Sequence, residues 1–286
     1  MNYSSEDLEK GIKKLGLSKG DLVYVPSAFF SLGLLSDCNS KNIPAKIFSI
    51  IESIVTKTGT ICVPAAYEDY ARLGKPYDCA KSPVDKSQGL FSEYVAKLPK
   101  SFRTFSPMNG VAGVGPLSKE ICHTYVANSS GEGSAWQKLH KYNSKFLFVG
   151  IRPNQALNFI YYIQQRFGVP HLYNKIYDTP IFEKNKKINL KVTAFVRYLN
   201  PEFKIIEDAL KFEKSLFADG IIKTVRVGKG KIYMIDSAKE LYDKAIEKLQ
   251  KNIFYFLKNK PYFKKGIIPM DGKTGKIKTD KQRFGQ

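Results

Sequence analysis

The alternation of apolar strands with an amphipathic helix between Asp21 and Pro64 constrains the fold of this chain more than any other feature. Asp21-Leu22-Val23-Tyr24-Val25 is a short run of apolar, β-branched and aromatic residues. Ile43 to Val55 then places Ile47, Ile50, Ile51 and Ile54 on one helical face, and Gly59-Thr60-Ile61-Cys62-Val63-Pro64 resumes the strand pattern. Strand, helix and strand in that order predict a βαβ unit, because two parallel strands need a crossover and a helix is the usual one. The turn between the first strand and the helix, Pro26-Ser27-Ala28-Phe29-Phe30-Ser31-Leu32-Gly33, follows the carboxyl end of a strand. α/β proteins hold ligands at such turns, though an ordinary connecting loop reads the same way.

A second organising stretch runs from Ser101 to Gly150. Asn109-Gly110-Val111-Ala112-Gly113-Val114-Gly115-Pro116 is a strand entry built from small residues, and Lys145-Phe146-Leu147-Phe148-Val149-Gly150 is a buried-type strand. Between them lies a polar turn, Ser129-Ser130-Gly131-Glu132-Gly133-Ser134. Glycine lets a backbone or a ligand approach closely. The pattern fits the rim of one pocket enclosed by this turn and the Ser27–Gly33 turn, or two plain αβ loops.

The rest of the chain fills in around these pieces. A helix is expected from Ser4 or Ser5, with Leu8, Ile12 and Leu15 at helical spacing and Gly16 and Gly20 beyond it. The long polar connection from Ala65 to Gln88 has the character of a functional loop. Helices are expected over Gly89 to Leu98, Gln155 to Phe167, Phe203 to Phe217 and Ser237 to Leu257. Antiparallel strands are expected between Tyr173 and Leu199, and again over Ile222 to Ile235 around Gly228-Lys229-Gly230. The expected architecture is α/β, a mixed sheet flanked by helices. One domain covers residues 1–257, and a basic, weakly ordered tail covers 258–286.

Charge narrows the partners. Lys and Arg number 46 against 26 Asp and Glu, a net +20. That surplus favours a phosphorylated or otherwise anionic ligand, although lysines spread along a chain also arise from compositional bias. No nucleic-acid motif accompanies it, so no specific nucleic acid is expected. The four cysteines form no CxxC pair and the three histidines form no HExxH or HxH pair, so no metal is expected. GxSxG, GxGxxG in a strand-to-helix context, and GxxxxGK[ST] are absent as well. Without an export signal or an apolar run of about 18 residues, a cytoplasmic protein with reduced thiols and no transmembrane segment is expected. Oligomer formation is left open.

The order and content of the pieces resemble the aminoglycoside 3-N-acetyltransferase family, whose antibiotic acetyltransferase fold is distinct from the GNAT fold. The resemblance rests on Gly20-Asp21-Leu22-Val23-Tyr24-Val25 leading to Ser27 and Ser31-Leu32-Gly33, then Gly59-Thr60-Ile61, Val63-Pro64, Tyr77-Asp78 and Ser82-Pro83. It continues through Arg103, Ser106-Pro107, Gly115-Pro116, Gly131-Glu132-Gly133-Ser134 and Val225-Arg226-Val227-Gly228.

The resemblance implies transfer of an acyl group from acetyl-CoA, or another acyl-CoA, to an amine of an amino sugar. A nucleotide-linked amino sugar for surface glycans suits the charge. Ser27, Ala28, Ser31, Leu32 and Gly33 become candidate cofactor contacts, with Arg103, Ser106, Gly110 and Val111 further along. Tyr67, Glu68, Asp69 and Ser134 are candidate substrate contacts; an exposed polar loop is the plainer reading of the first three. The family's base is a histidine in a Leu-His-x-x-Glu segment. Here that segment is Leu157-Asn158-Phe159-Ile160-Tyr161, so Asn158 stands in the histidine position and Tyr161 in the glutamate position. Asn158 can orient but not titrate. His171 and Glu132 are the alternative bases, unless the first is a solvent-exposed loop residue and the second a surface carboxylate. The altered motif leaves open a changed donor or acceptor, or a non-catalytic basic binding protein.

Overall fold

The computed structural model describes residues 2–263. The chain opens with α1 (Ser5–Leu15), β1 (Leu22–Tyr24), α2 (Ile43–Val55), β2 (Thr60–Pro64), α3 (Asp69–Leu73), β3 (Tyr77–Asp78) and α4 (Leu90–Ala96). It continues with β4 (Phe102–Arg103), β5 (Val111–Val114), α5 (Ser118–Cys122), α6 (Ala135–Lys141), β6 (Lys145–Val149), α7 (Pro153–Ala156) and α8 (Phe159–Phe167). The last third holds β7 (Leu172–Tyr177), β8 (Ile181–Glu183), β9 (Lys186–Ile188), β10 (Val192–Arg197), α9 (Leu210–Ala218), β11 (Ile222–Val227), β12 (Gly230–Ile235) and α10 (Ala238–Lys251).

The main sheet is seven-stranded in the order β11-β12-β6-β1-β2-β5-β4. β6, β1 and β2 are parallel, and antiparallel strands extend the sheet on both sides. This is the mixed α/β sheet expected. The parallel pairing of β1 and β2 follows from the crossover helix α2, which buries Ile47, Ile50, Ile51 and Ile54 as its spacing requires. Each such side chain contributes about 1.5–3 kcal/mol relative to exposure.

Alternation along β1 assigns the two faces. Val23 and Val25 face α1, α2 and α4, packing with Leu8, Ile47 and Phe91. Leu22 and Tyr24 face the opposite layer with Trp136, Phe159, Leu216 and Leu241 from α6, α8, α9 and α10. A third cluster, including Tyr70, Tyr77, Phe105, Tyr177 and Ile181, joins the loop after β2 to the β7–β10 ribbon and the small sheet of β3, β8 and β9.

Local signals set most element boundaries. α1 begins at a capping box in which Ser4 and Asp7 satisfy each other's backbone amides, and it ends at Gly16 in the left-handed region. The helix expected over Gln155 to Phe167 is split, because Leu157 leaves helical geometry between α7 and α8. α10 stops at Lys251, short of Leu257. Of the stretch read as a weakly ordered tail, Lys258 donates its amide to Ile206 at 2.8 Å and Tyr262 donates to Phe203 at 2.9 Å. The remainder, 264–286, lies outside the described residues. Among the described residues no helix is long and apolar enough to cross a membrane, and no cluster of side chains has metal-site composition.

Candidate functional site

β1, β2 and β6 point the same way, so their carboxyl ends share one edge. The chain leaves β1 toward β2 on one side and returns to β6 on the other. That reversal is where doubly wound sheets open a crevice. The turn after β1 sits there. Ser27 bridges to Val149, the Ala28 amide donates to the Val149 carbonyl at 2.8 Å, and Ser31 Oγ donates to the Gly150 carbonyl. A short 3-10 helix covers Phe29–Leu32, and Gly33 follows at φ 108°.

The β11–β12 turn braces this segment from outside. Lys229 donates its amide to the Leu32 carbonyl at 2.9 Å. Gly228 is at φ 57°, and a Cβ there would lie 2.2 Å from the Leu32 carbonyl oxygen, so only glycine fits.

A cleft of about 320 Å³ opens beside the turn, lined by Ser27, Ala28, Phe29, Phe30, Gly89 and Leu90, with Asp85, Lys86 and Glu93 supplying charge. Its size falls at the low end for small-molecule pockets. Ser27 is 8% exposed, and its Oγ is buried without a hydrogen-bond partner. Its place in the cleft wall leaves that hydroxyl available to a ligand. Of the cofactor candidates, Ser27 and Ala28 line the cleft. Ser31 is tied to Gly150, and Leu32 is a core side chain with no exposure. Phe29 and Phe30, named only as part of the turn, also line the cleft, as do Gly89 and Leu90. The latter two sit at the far end of the long Ala65–Gln88 connection, which carried the only sequence signal for them.

The Gly131–Ser134 turn lies on the same edge but does not line this cleft. Asn128 Oδ1 accepts from the Ser130 and Gly131 amides, and Ser134 Oγ caps α6 by accepting from Gln137. Asn109 Nδ2 donates to Ser130 Oγ at 3.1 Å, and the Trp136 indole donates to the Asn109 carbonyl at 2.9 Å. Asn109 precedes β5, whose first residue region lies beside the carboxyl end of β2. The two turns therefore share an edge, and the single cleft enclosed by both is corrected to one bounded by the first turn and α4.

Several candidates serve the scaffold. Arg103 is 6% exposed, and its guanidinium donates to the carbonyls of Ala65, Ala66, Ser82 and Pro83 while lying 5.1 Å from the Tyr77 ring centroid. With its donors so engaged, it shapes the loop after β2 instead of meeting a cofactor. Ser106 Oγ donates to Met108, Gly110 packs against the Ala65 carbonyl, and Val111 is fully buried. Ser134 is buried as a cap. Tyr67 stacks on Tyr77 at 5.8 Å, Glu68 pairs with Arg72, and Asp69 pairs with Lys75 at 2.7 Å.

None of the three histidines lines the cleft. His171 has no exposure; its Nε2 is 2.9 Å from Gln164 Oε1, its Nδ1 is buried without a partner, and burial pushes its pKa down to about 4. The alternative base is thus corrected to a neutral core residue, sealed from any substrate. His140 stacks on Tyr242, and burial lowers its pKa. His123 sits 2.6 Å from Glu183 beside Phe102 and Phe105. Glu132 is exposed on its turn.

Asn158 is half-buried at the start of α8, and its side chain caps nothing. One turn on, the Tyr161 hydroxyl donates to Glu207 Oε2 at 3.0 Å. Glu207 lies 46 positions away and carried no signal in the sequence.

A family model described as aminoglycoside 3-N-acetyltransferase matches residues 35–250. Aminoglycoside N(3)-acetyltransferase III of Salmonella sp. is 22% identical over 208 residues, covering 67% of this chain and 71% of that protein. The protein of that name from Acinetobacter baumannii is 21% identical over 208 residues, with the same 67% and 71% covered. The solved structure of AAC-IIIb in a binary complex with CoASH shares the fold at TM-score 0.73 and 18% identity, covering 91% of this chain and 100% of that one. Sisomicin-bound AAC-VIa superimposes at TM-score 0.73 and 18% identity, covering 88% and 98%.

Proposed function

The chain belongs to the aminoglycoside 3-N-acetyltransferase family, and from that premise we propose that it transfers an acetyl group from coenzyme A to a primary amine of an amino sugar. The observation that carries the reading is the unpartnered Ser27 hydroxyl in the wall of the cleft at the switch point. A largely apolar cleft with a hydroxyl in its wall suits the arm of coenzyme A, which alternates methylenes with amides. Phe29 and Leu90 supply apolar walls, and Lys86 supplies a cation for the phosphorylated end. The first amides of the Phe29–Leu32 turn lack intrahelical partners, as at any helix start, and suit a carbonyl oxygen or phosphate.

The bound thioester supplies an activated acyl carbon. The acceptor nitrogen forms a bond to that carbon, the carbon–sulfur bond breaks, and the proton lost by nitrogen ends on the leaving sulfur or in solvent. Donors fixed at the thioester oxygen stabilise the charge that develops there. Asn158 does not titrate and cannot take the proton, so on this reading the acceptor amine enters from its neutral population. kcat/KM is expected to rise with pH up to the acceptor's own pKa, with no inflection near 6.5. Asn158→His should raise kcat about tenfold and introduce that inflection. A nucleotide-linked amino sugar as acceptor fits the +20 charge, because its phosphates are drawn to a basic surface.

Titration with acetyl-CoA in a calorimeter, followed by thiol release in the presence of amino sugars, tests the proposal. Ser27→Ala should weaken acetyl-CoA about fivefold, the worth of one modest hydrogen bond. Absence of heat at millimolar acetyl-CoA, with retention on heparin that falls steeply with salt, would favour a non-catalytic basic binding protein.

A further inference from the structure

β11 is the outer strand of the main sheet, and among the described residues it pairs only with β12. In an antiparallel pair each strand bonds its partner through the amides and carbonyls of alternate residues and turns the others away. The outer side of β11 therefore carries a row of donors and acceptors that no strand meets. The register runs unbroken from Ile222↔Ile235 to Val227↔Gly230, so no bulge bends this edge aside.

α1 turns the edge into a groove. Gly11 has no side chain where a Cβ would lie 3.0 Å from Val227 Cγ2 and 3.5 Å from Val225 Cγ1, so the helix comes close to the strand. A cavity of about 370 Å³ lies between them, lined by Asp7, Lys10 and Lys14 of α1 and by Val225, Arg226 and Val227 of β11. The three α1 residues share one flank because they are three and four positions apart. The groove is positive. Lys14 and Arg226 are exposed and have no ion-pair partner among the described residues. Lys10 pairs with Glu6 at 2.6 Å, with both side chains 72% exposed, and Asp7 is engaged by Ser4. Arg226 also stands directly opposite Lys231 on β12, an exposed like-charge pair that an anion would relieve.

Charge and hydrogen bonding together select the occupant. A second copy joined edge to edge would bring the same cations against one another. A phosphate or a nucleic acid backbone offers acceptors to the lysines and amides but no donor to the β11 carbonyls. An extended acidic polypeptide supplies both, alternating donors and acceptors along its backbone with carboxylates on its side chains. We propose that the β11 edge and the flank of α1 form a docking groove for an extended acidic segment of another protein, which adds a strand to the main sheet and sets its carboxylates against Lys14 and Arg226. The groove shares no residue with the cleft beside Ser27, so the inference goes beyond acetyl transfer and does not depend on it.

The probe is a capped, fluorescein-labelled octapeptide of alternating Glu and Val, titrated against the full chain at low salt and read by anisotropy. It should bind saturably and slow hydrogen exchange of the Ile222–Val227 amides. The same peptide N-methylated at every second residue keeps its charge but loses the donors along one edge, and it should bind at least about tenfold more weakly. Lys14→Glu combined with Arg226→Glu should weaken the unmodified peptide by about tenfold while leaving the melting midpoint and coenzyme A affinity unchanged. If that variant melts early, the two peptides compared on wild type decide alone. No saturable binding, equal binding of the two peptides, or displacement of the peptide by coenzyme A at equal concentration overturns the inference. So does a uridine oligonucleotide that binds more tightly than the peptide and is lost in the same variant, which would assign the groove to nucleic acid.

Discussion

Arg103→Ala is expected to lower the stability of the fold by about 2–4 kcal/mol, the cost of leaving buried carbonyls without donors together with lost packing. The guanidinium bonds the carbonyls of Ala65, Ala66, Ser82 and Pro83. Without it, the Ala65 carbonyl is left buried without a donor, the Ser82 and Pro83 carbonyls lose theirs, Ala66 keeps only the Asp85 amide, and the two ends of the loop after β2 lose their common tie. Arg103→Lys should recover little, because an ammonium cannot span acceptors on two segments as a planar fork does. A thermal melt should show a midpoint lower by about 10 °C. Acetyl-CoA affinity should fall with it, since the Asp85 amide donates to the Ala66 carbonyl and Asp85 lines the cleft. Wild-type melting with weakened acetyl-CoA binding would instead return Arg103 to the cofactor.

The second large effect is on acid stability. His171 is fully buried and burial lowers its pKa to about 4, whereas an unfolded histidine titrates near its ordinary value of about 6.5. Below about pH 6.5 the unfolded chain therefore binds a proton that the folded chain refuses. Stability is flat above that pH, declines as pH falls toward about 4, and levels off beyond it as far as this group is concerned. The integrated loss is about 3 kcal/mol. Urea midpoints measured from pH 7.5 to 4.5 should show this slope, and His171→Phe should flatten it. The variant should also lose about 1–2 kcal/mol at neutral pH, because Gln164 Oε1 is left without its donor. Acetyl transfer by His171→Phe at pH 8 should be near that of wild type; a loss of a hundredfold or more with normal folding would restore the histidine to the reaction.

His171 and Arg103 show where sequence reading fails. A histidine just past a helix has the same letters around it whether it faces water or a core. His171 is buried because α8 and the segment around Phe254 close over it, with the His171 and Phe254 rings 6.0 Å apart. Arg103 lies in an edge strand, and an arginine there ordinarily reaches solvent. It turns inward because the loop after β2 brings backbone carbonyls over β4. In both cases the deciding neighbours are remote in the chain, and no local period encodes them.

The sequence by itself determined the parallel pairing of β1 with β2, the face that α2 buries, the capped start of α1, and the family. Each follows from patterns that repeat within a few residues, or from the order in which such patterns occur. Only the tertiary structure decided which polar groups meet: Ser27 with the α4 side of a cleft, Asn109 with the Gly131–Ser134 turn, and Tyr161 with Glu207. The physical reason is that periods of 2 and 3.6 residues assign side chains to faces, whereas a polar group's partner depends on sheet order and loop paths that join distant parts of the chain.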